Sequence, residues 1–385
     1  ILSYMSFAIG YIAGPFGAIF FGHIGDRKGR KVTMYASLLM MGISTSIIGI
    51  LPPAASAGVG VVIVLQLMRL AQCFGRGGTW GGGILMAYEN VPENKRSFYA
   101  AIPQIGLPIG FGLSSILIAV PTLLLPEDIF FTWGWRIPFL AAIILTLIVI
   151  RQKGEMMETE DYKKAQAKLE AEEAEGKKHK VGFIPMVKGY WKTLLLGCGT
   201  RWVDGTFYNI FIVWILSYCI NWLGMPLIQT YIITIIACIF KIPFTLFGGW
   251  CAQKLGNTRT FVIGALASAV LSIPTLKVIE LSKGNLAITI IGIVLGWSIA
   301  YNLIWAVISS LWSSYFETEV RYSGISFVYH VPSFLVAGMV PTICTLLINY
   351  GNGDTIYVGI YSTVVALISA ACALALKARH DRGEK

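Results

Sequence analysis

Residues 22–31 read Gly22-His23-Ile24-Gly25-Asp26-Arg27-Lys28-Gly29-Arg30-Lys31, a dense charged turn set between two apolar runs, 1–21 and 33–52. The turn cannot sit in hydrocarbon, whereas each flanking run is close to the ~20 residues a helix needs to cross it. Working outward, further apolar runs occupy 59–88, 98–120 and 136–150. After a polar stretch, 151–188, the pattern resumes at 190–220, 226–250, 260–279, 286–312, 323–348 and 355–376. Runs this long and continuous exclude barrel strands, which alternate with period two over about ten residues. The expectation is an all-α membrane protein with about eleven spans. A chain that is 56% hydrophobic and only 13% charged is too apolar for an ordinary soluble globule. Its seven cysteines lie inside apolar runs, none spaced as CxxC, which argues against a disulfide scaffold or a thiolate metal site.

The net charge of +10 reads as topology rather than as nucleic-acid binding. Arg27, Lys28, Arg30 and Lys31 fill the first connection, Lys95 and Arg96 the third, Lys254 and Arg259 a later one, and Lys377, Arg379, Arg382 and Lys385 the tail. The alternate connections are poor in base, with Lys277 and Lys283 the main exceptions. The basic sides, the tail and the central linker are therefore expected in the cytoplasm. Glu158, Glu160, Lys163, Lys164, Lys168 and Glu170 make 151–188 a solvated helical linker between an N-terminal half, 1–150, and a C-terminal half, 189–385. The opening turn recurs, weakened, as Gly249-Trp250-Cys251-Ala252-Gln253-Lys254-Leu255-Gly256-Asn257. Two spans precede this second copy and one precedes the first, which suggests a helix missing before Ile1 and two pseudo-symmetric sixes with substrate between them.

The Gly22–Lys31 turn resembles the GxxxDRxGRK loop of the major facilitator superfamily. Within it, Arg69-Leu70-Ala71-Gln72-Cys73-Phe74-Gly75-Arg76-Gly77-Gly78-Thr79-Trp80-Gly81-Gly82 resembles the RLxQGFxxGGEWGG segment of the metabolite:H+ symporter family. Further likenesses are Glu89 to Pro92 with Lys95-Arg96, Pro103-Gln104-Ile105-Gly106, Trp133 to Phe139, and Thr318 to Ser326, which is similar to TxVRYxGxS. The resemblance implies a secondary transporter of the bacterial inner membrane that moves a small organic acid or zwitterion with a proton, as shikimate and osmolyte carriers do. It implies a monomer, no metal and no cofactor. Two departures matter: Thr79 stands where the family has Glu, and Arg76 replaces a small residue.

Charge at bilayer depth is costly unless it faces a cavity or a partner, so deep polar groups are the candidate site. Arg69, Gln72, Arg76 and Trp80 recur at helical spacing and are expected on one cavity face. Arg201 and Asp204 stand at i, i+3 with Tyr208 one turn on, and are expected to pair. Lys241, Asn302, Trp305, Gln104 and the intramembrane His330 complete the substrate or coupling set. The deep cations Arg69, Arg76, Arg201 and Lys241 outweigh the single carboxylate Asp204, and arginine's planar fork suits a carboxylate, so an organic anion is the expected substrate. A cytoplasmic gate is expected from Gly22, Asp26, Arg27, Gly29, Arg30, Glu89, Arg96 and Arg321, with Asp26 at a neighbouring helix N-terminus and Arg30 paired to Glu89. Gln253 and Asn257 lack the ion-pairing groups, so the second copy should hold less firmly. The runner-up readings are a facilitator or exchanger, a zwitterion symporter and a transporter-like sensor. No HExxH, no paired acids and no GxxxxGK[ST] loop appear, which argues against an enzyme or an ATP-driven pump.

Overall fold

The computed structural model describes residues 2–53, 58–152, 158–174 and 183–384, and among them there are helices and no strands. The long helices are α1 (Leu2–Lys28), α2 (Arg30–Ile50), α3 (Val59–Glu89), α4 (Glu93–Leu124) and α5 (Gly134–Arg151). After the linker come α6 (Met186–Asn221), α7 (Leu227–Leu255), α8 (Asn257–Leu281), α9 (Leu286–Ser313), α10 (Arg321–Tyr350) and α11 (Ile356–Asp381). All but α1 are long and apolar enough to cross a membrane, and α1 is itself 27 residues long. Most helices outrun the apolar runs read from sequence. Each backbone N–H is bonded most cheaply inside a helix, so the helix continues into the polar end turns where hydropathy has already fallen.

The two sets of helices meet along α1 against α10 and α4 against α7. The repeated turn has the same backbone in both copies. Gly29 (φ 103°) precedes α2 and Gly256 (φ 87°) precedes α8, a left-handed conformation that residues with a Cβ seldom adopt. Three helices change pitch at mid-depth, with π-helical segments at Ile210–Trp214 in α6, Val294–Ala300 in α9 and Phe334–Gly338 in α10. Such segments break the regular ladder and occur often at functional sites.

The linker departs from the expectation of a solvated spacer. Its helix, Glu160–Ala174, carries the expected charge, but the residues at its start are built into the bundle. Thr159 is fully buried, and Glu158 accepts from the first two backbone N–H groups of α2, Arg30 at 2.9 Å and Lys31 at 3.2 Å. Linker positions 153–157 and 175–182 lie outside the described residues. The exception Lys277 has its own explanation: its ammonium bonds Glu280 at 3.0 Å and Asp354 at 2.7 Å, and this pairing holds the exposed Asp354 carboxyl below its ordinary range.

Helices α1 and α3 cross backbone to backbone. A Cβ at Gly17 would overlap the Phe74 carbonyl, and one at Gly77 would overlap the Ala18 backbone nitrogen. Small residues at a crossing let membrane helices gain contact that hydrophobic burial cannot supply there. Gly77→Val should therefore abolish the monodisperse peak of detergent-solubilised protein in size-exclusion chromatography. Gly83→Ala, where no neighbouring atom lies within 4 Å, should leave it intact.

Candidate functional site

At mid-depth the bundle encloses a cavity of about 380 Å³. Helix α3 contributes Arg76 and Trp80, α4 contributes Gln104, Leu107 and Phe111, and α6 contributes Arg201, Asp204, Tyr208 and Asn209. Tyr11 of α1, Trp305 of α9 and Tyr329 and Ser333 of α10 close the wall. The structure thus brings together Arg76, Trp80, Gln104, Arg201, Asp204, Tyr208 and Trp305 from the sequence-derived set.

Two guanidinium groups and one carboxylate line the cavity, leaving one positive charge in excess. Arg201 donates to Asp204 through Nη1 and to the Tyr329 carbonyl through Nε at 3.3 Å. Its guanidinium also lies 4.2 Å from the Tyr329 ring centroid. Asp204 receives a second hydrogen bond from the hydroxyl of Tyr301, so the deep carboxylate is held from both sides. Arg76 has no carboxylate partner among the described residues; its guanidinium lies 4.8 Å from the Tyr11 ring. Trp80 stacks on Tyr329 with centroids 4.1 Å apart, and Phe111 meets Tyr208 edge to face at 6.0 Å. Gln104 and Trp305 bind each other reciprocally, side chain to carbonyl, at 3.0 and 3.1 Å, which ties α4 to α9 across the wall.

Five sequence-derived residues lie outside the cavity. Arg69 is exposed, and seven residues of helix put it about 10 Å along α3 from Arg76. Gln72 turns to α2, where it bonds Thr45 at 2.7 Å, because positions four apart drift by roughly 40° and only Arg76 and Trp80 arrive on the cavity side. Thr79 faces α2 as well, bonding Ser37 at 3.2 Å. His330 points at α1, where a Cβ on Gly14 would come within 3.3 Å of its Nδ1. Lys241 is fully buried behind the wall. Its Nζ bonds Asn302 at 3.0 Å and lies 4.3, 4.4 and 5.9 Å from the rings of Tyr301, Trp297 and Trp305. Asn302 returns a bond to the Lys241 carbonyl at 2.7 Å, so both are occupied with each other. A desolvated ammonium gains from the aromatic faces what water would otherwise supply.

Sequence reasoning missed Tyr11, Phe111, Asn209, Tyr329 and Ser333, because an aromatic or small polar residue inside an apolar run looks the same whether it packs or lines a cavity. Tyr329 alone carried a signal, as the neighbour of the intramembrane His330.

The linker end is closed by a buried clamp. Asp26, at the end of α1, accepts from the backbone N–H groups of Tyr322 and Ser323 at 3.2 and 3.0 Å, capping α10, and pairs with Arg30 at 3.4 Å. Gly22 lies against Ser323. Glu89 takes Arg30 at 3.4 Å, Arg321 at 2.9 Å and the Thr159 hydroxyl at 2.7 Å. Arg30 also donates to the Thr318 carbonyl at 2.8 Å. The linker adds Asp161, which bridges Arg96 at 2.7 Å and Arg321 at 3.6 Å, and Tyr162, whose hydroxyl bonds the Arg27 carbonyl at 2.9 Å. Gly29 is hemmed in by Glu158 as well as bent to positive φ. Among the described residues the second copy holds by neutral bonds: Gln253, the position-for-position counterpart of Asp26, accepts from Phe98 N–H at 3.2 Å, and Asn257 accepts from Ser310 at 3.0 Å.

Comparison with known proteins agrees with this architecture. Residues 2–341 match the model of the Major Facilitator Superfamily, and the chain belongs to that family. It is 33% identical to the Escherichia coli inner membrane metabolite transport protein YhjE over 98% of this chain and 85% of that protein. It is 30% identical to the Escherichia coli shikimate transporter over 97% and 84%. The proton:xylose symporter XylE, solved with 6-bromo-6-deoxy-D-glucose, shares the fold with TM-score 0.76 at 16% identity, over 97% of this chain and 85% of that one. The chain is a transporter of this superfamily and not an enzyme.

Removing one partner of a buried ion pair costs about 3–5 kcal/mol, which shifts a two-state equilibrium roughly a hundredfold or more. Asp26→Asn should therefore favour the state open at the linker end. A cysteine placed at buried Ser326, with the native cysteines replaced, should react with maleimide severalfold faster in Asp26→Asn than with Asp26 intact.

Proposed function

We propose that this member of the Major Facilitator Superfamily carries a small organic anion across the inner membrane of a bacterium by alternating access, in symport with a proton. The observation that supports the anion is Arg76, which faces the cavity without an acidic partner among the described residues, beside an Arg201 whose partner is Asp204. A substrate carboxylate can take up both planar forks. In doing so it competes with Asp204 for Arg201. Asp204, released into a cavity that now holds a second negative group, is then the group that takes up a proton. The proton restores the charge of the empty cavity, so the loaded carrier crosses its central state at no extra electrostatic cost.

The linker end is assigned to the cytoplasm, since Arg27, Lys28, Arg30, Lys31, Lys95, Arg96 and the basic tail gather there. The clamp is then the inner gate, and its ion pairs must part for release inward. The described walls of the cavity all come from one chain, which supports a working monomer. A zwitterionic substrate is the second reading. It draws on the aromatic wall of Tyr11, Trp80, Tyr208, Trp305 and Tyr329, which could face a quaternary ammonium.

Uptake of radiolabelled shikimate, succinate and glycine betaine into proteoliposomes of the full-length protein, with and without an inward proton gradient, tests this. A carboxylate should accumulate with the gradient, and its uptake should fall at least about tenfold in Arg76→Gln, the worth of one charged hydrogen bond. Asp204→Asn should keep exchange and lose accumulation. Accumulation of glycine betaine alone would replace the anion by a zwitterion, and equilibration indifferent to the gradient would make the protein a facilitator.

A further inference from the structure

Most polar groups of the cavity wall are already bonded. Arg201 is taken by Asp204 and the Tyr329 carbonyl, Asp204 by Arg201 and Tyr301, and Gln104 and Trp305 by each other. Of the buried side-chain atoms without a hydrogen-bond partner among the described residues, three belong to residues that line the cavity: the donors Arg76 Nε and Trp80 Nε1, one turn apart on α3, and the acceptor Asn209 Oδ1 on α6. A buried polar atom left unbonded is costly, and native proteins rarely keep one without a reason. Here three stand around one cavity, on helices from opposite sides of the linker.

Asn209 is 1% exposed. Its Nδ2 donates to the Gly205 carbonyl at 2.8 Å, one turn back on α6, and that bond fixes which end of the amide is oxygen, since a flipped amide would set two acceptors face to face. Holding the helix end before the π-helical segment Ile210–Trp214 therefore accounts for the nitrogen only. The oxygen is spare and can only accept. With Arg76 and Trp80 as donors for a carboxylate, the complement of the wall is a molecule with an anionic group on one side and a hydrogen-bond donor on the other. The excess positive charge of the cavity disfavours an ammonium as that donor and leaves a neutral hydroxyl.

We infer that Asn209 is a specificity-determining residue whose side-chain oxygen accepts a hydrogen bond from a substrate hydroxyl, so that the carrier selects hydroxylated carboxylates over their deoxy counterparts. This rests on the anion reading of the cavity. A site built to bond a hydroxyl discriminates strongly against an analogue that lacks it, because its own acceptor is then left unpaired.

The test uses full-length protein and matched pairs of acids: shikimate against 1-cyclohexene-1-carboxylate, and lactate against propionate, with proline added to represent an ammonium donor. Binding is followed by the fluorescence of Trp80 and Trp305, which line the cavity. In the native protein the hydroxylated member of at least one pair should bind about tenfold or more tightly than the deoxy member. In Asn209→Leu that ratio should fall to near one through lost affinity for the hydroxylated acid, with the elution profile in size-exclusion chromatography reporting the fold separately. Equal affinities within both pairs of the native protein would overturn the inference, as would a preference that survives in Asn209→Leu or a tighter grip on proline than on any hydroxy acid. Equal loss of both members in Asn209→Leu would overturn it too, assigning Asn209 to the structure of α6. Failure of all the acids to bind the native protein would instead bring down the anion reading beneath it.

Discussion

A charge inside hydrocarbon must find a partner, an aromatic face or a water-filled cavity, and this one constraint places nearly every informative residue of the chain. Each deep group satisfies it differently. Arg201 and Asp204 neutralise each other at the cavity wall. Lys241, with no carboxylate bonded to it among the described residues, is surrounded by Trp297, Tyr301 and Trp305 and tied to Asn302. Arg30, Glu89 and Asp26 are buried together, each answering another. Arg76 has no carboxylate partner among the described residues; its guanidinium lies over the Tyr11 ring and faces the cavity. The pattern of pairing therefore adds to the pattern of charge, since it separates Arg76, which faces the cavity without a described carboxylate, from Lys241, which its neighbours enclose.

The same helices carry both the cavity and the clamp. Helix α3 holds Arg76 and Trp80 at mid-depth and Glu89 at its end, thirteen residues or about 20 Å away. Helix α1 holds Tyr11 and Asp26, and α10 holds Tyr329 and Arg321. A tilt of α1 and α3 against α10 that parts the clamp must also move Arg76 relative to Tyr329. The Gln104–Trp305 pair and the α4–α7 contact resist from the other side of the bundle, where, among the described residues, the second copy of the repeat contributes neutral bonds. The closed end is thus unequal: strong where ion pairs and the linker meet, weaker at Gln253 and Asn257. The three π-helical segments all fall in helices after the linker, at cavity depth, where a helix can change its path without unwinding.

The spans were legible because the energy that decides them, transfer of about twenty residues into hydrocarbon, is additive along the chain. The clamp was legible because Asp26, Arg30 and Glu89 stand in patterned turns whose charges have few other uses. The cavity was legible only in part, since it depends on azimuth. Each step of four residues drifts about 40° around the helix, so the eight residues from Gln72 to Trp80 turn by roughly 80°, which sends Gln72 to α2 and Trp80 to the cavity. Among the neighbours of Lys241 the sequence pointed to Asn302 and Trp305 but gave no sign of Trp297 and Tyr301, whose rings lie nearest its ammonium. Asn209 gave no sign at all: an asparagine in an apolar run becomes informative only when the structure shows which of its atoms is already bonded. The linker misled in the opposite sense, because charge that looked solvated turned out to cap α2 and bridge Arg96 to Arg321.

Thr79 shows how position decides the meaning of a substitution. The related pattern has an acid there, and its replacement removes a candidate for proton coupling. In this fold Thr79 faces α2, bonded to Ser37 and close to the sulfur of Met41, and the carbonyl of Gly75 takes its hydroxyl at 3.1 Å. A carboxylate at that place would be desolvated against an uncharged helix face, with no described cation in contact to offset it. Threonine closes the same space with bonds it can satisfy. Among the described residues the acid that lines the cavity is Asp204, across the bundle, where a guanidinium and a phenol hydroxyl hold it. If a proton travels with the substrate, Asp204 is the described acid at cavity depth, on the same wall that Asn209 and Tyr208 share with the cavity.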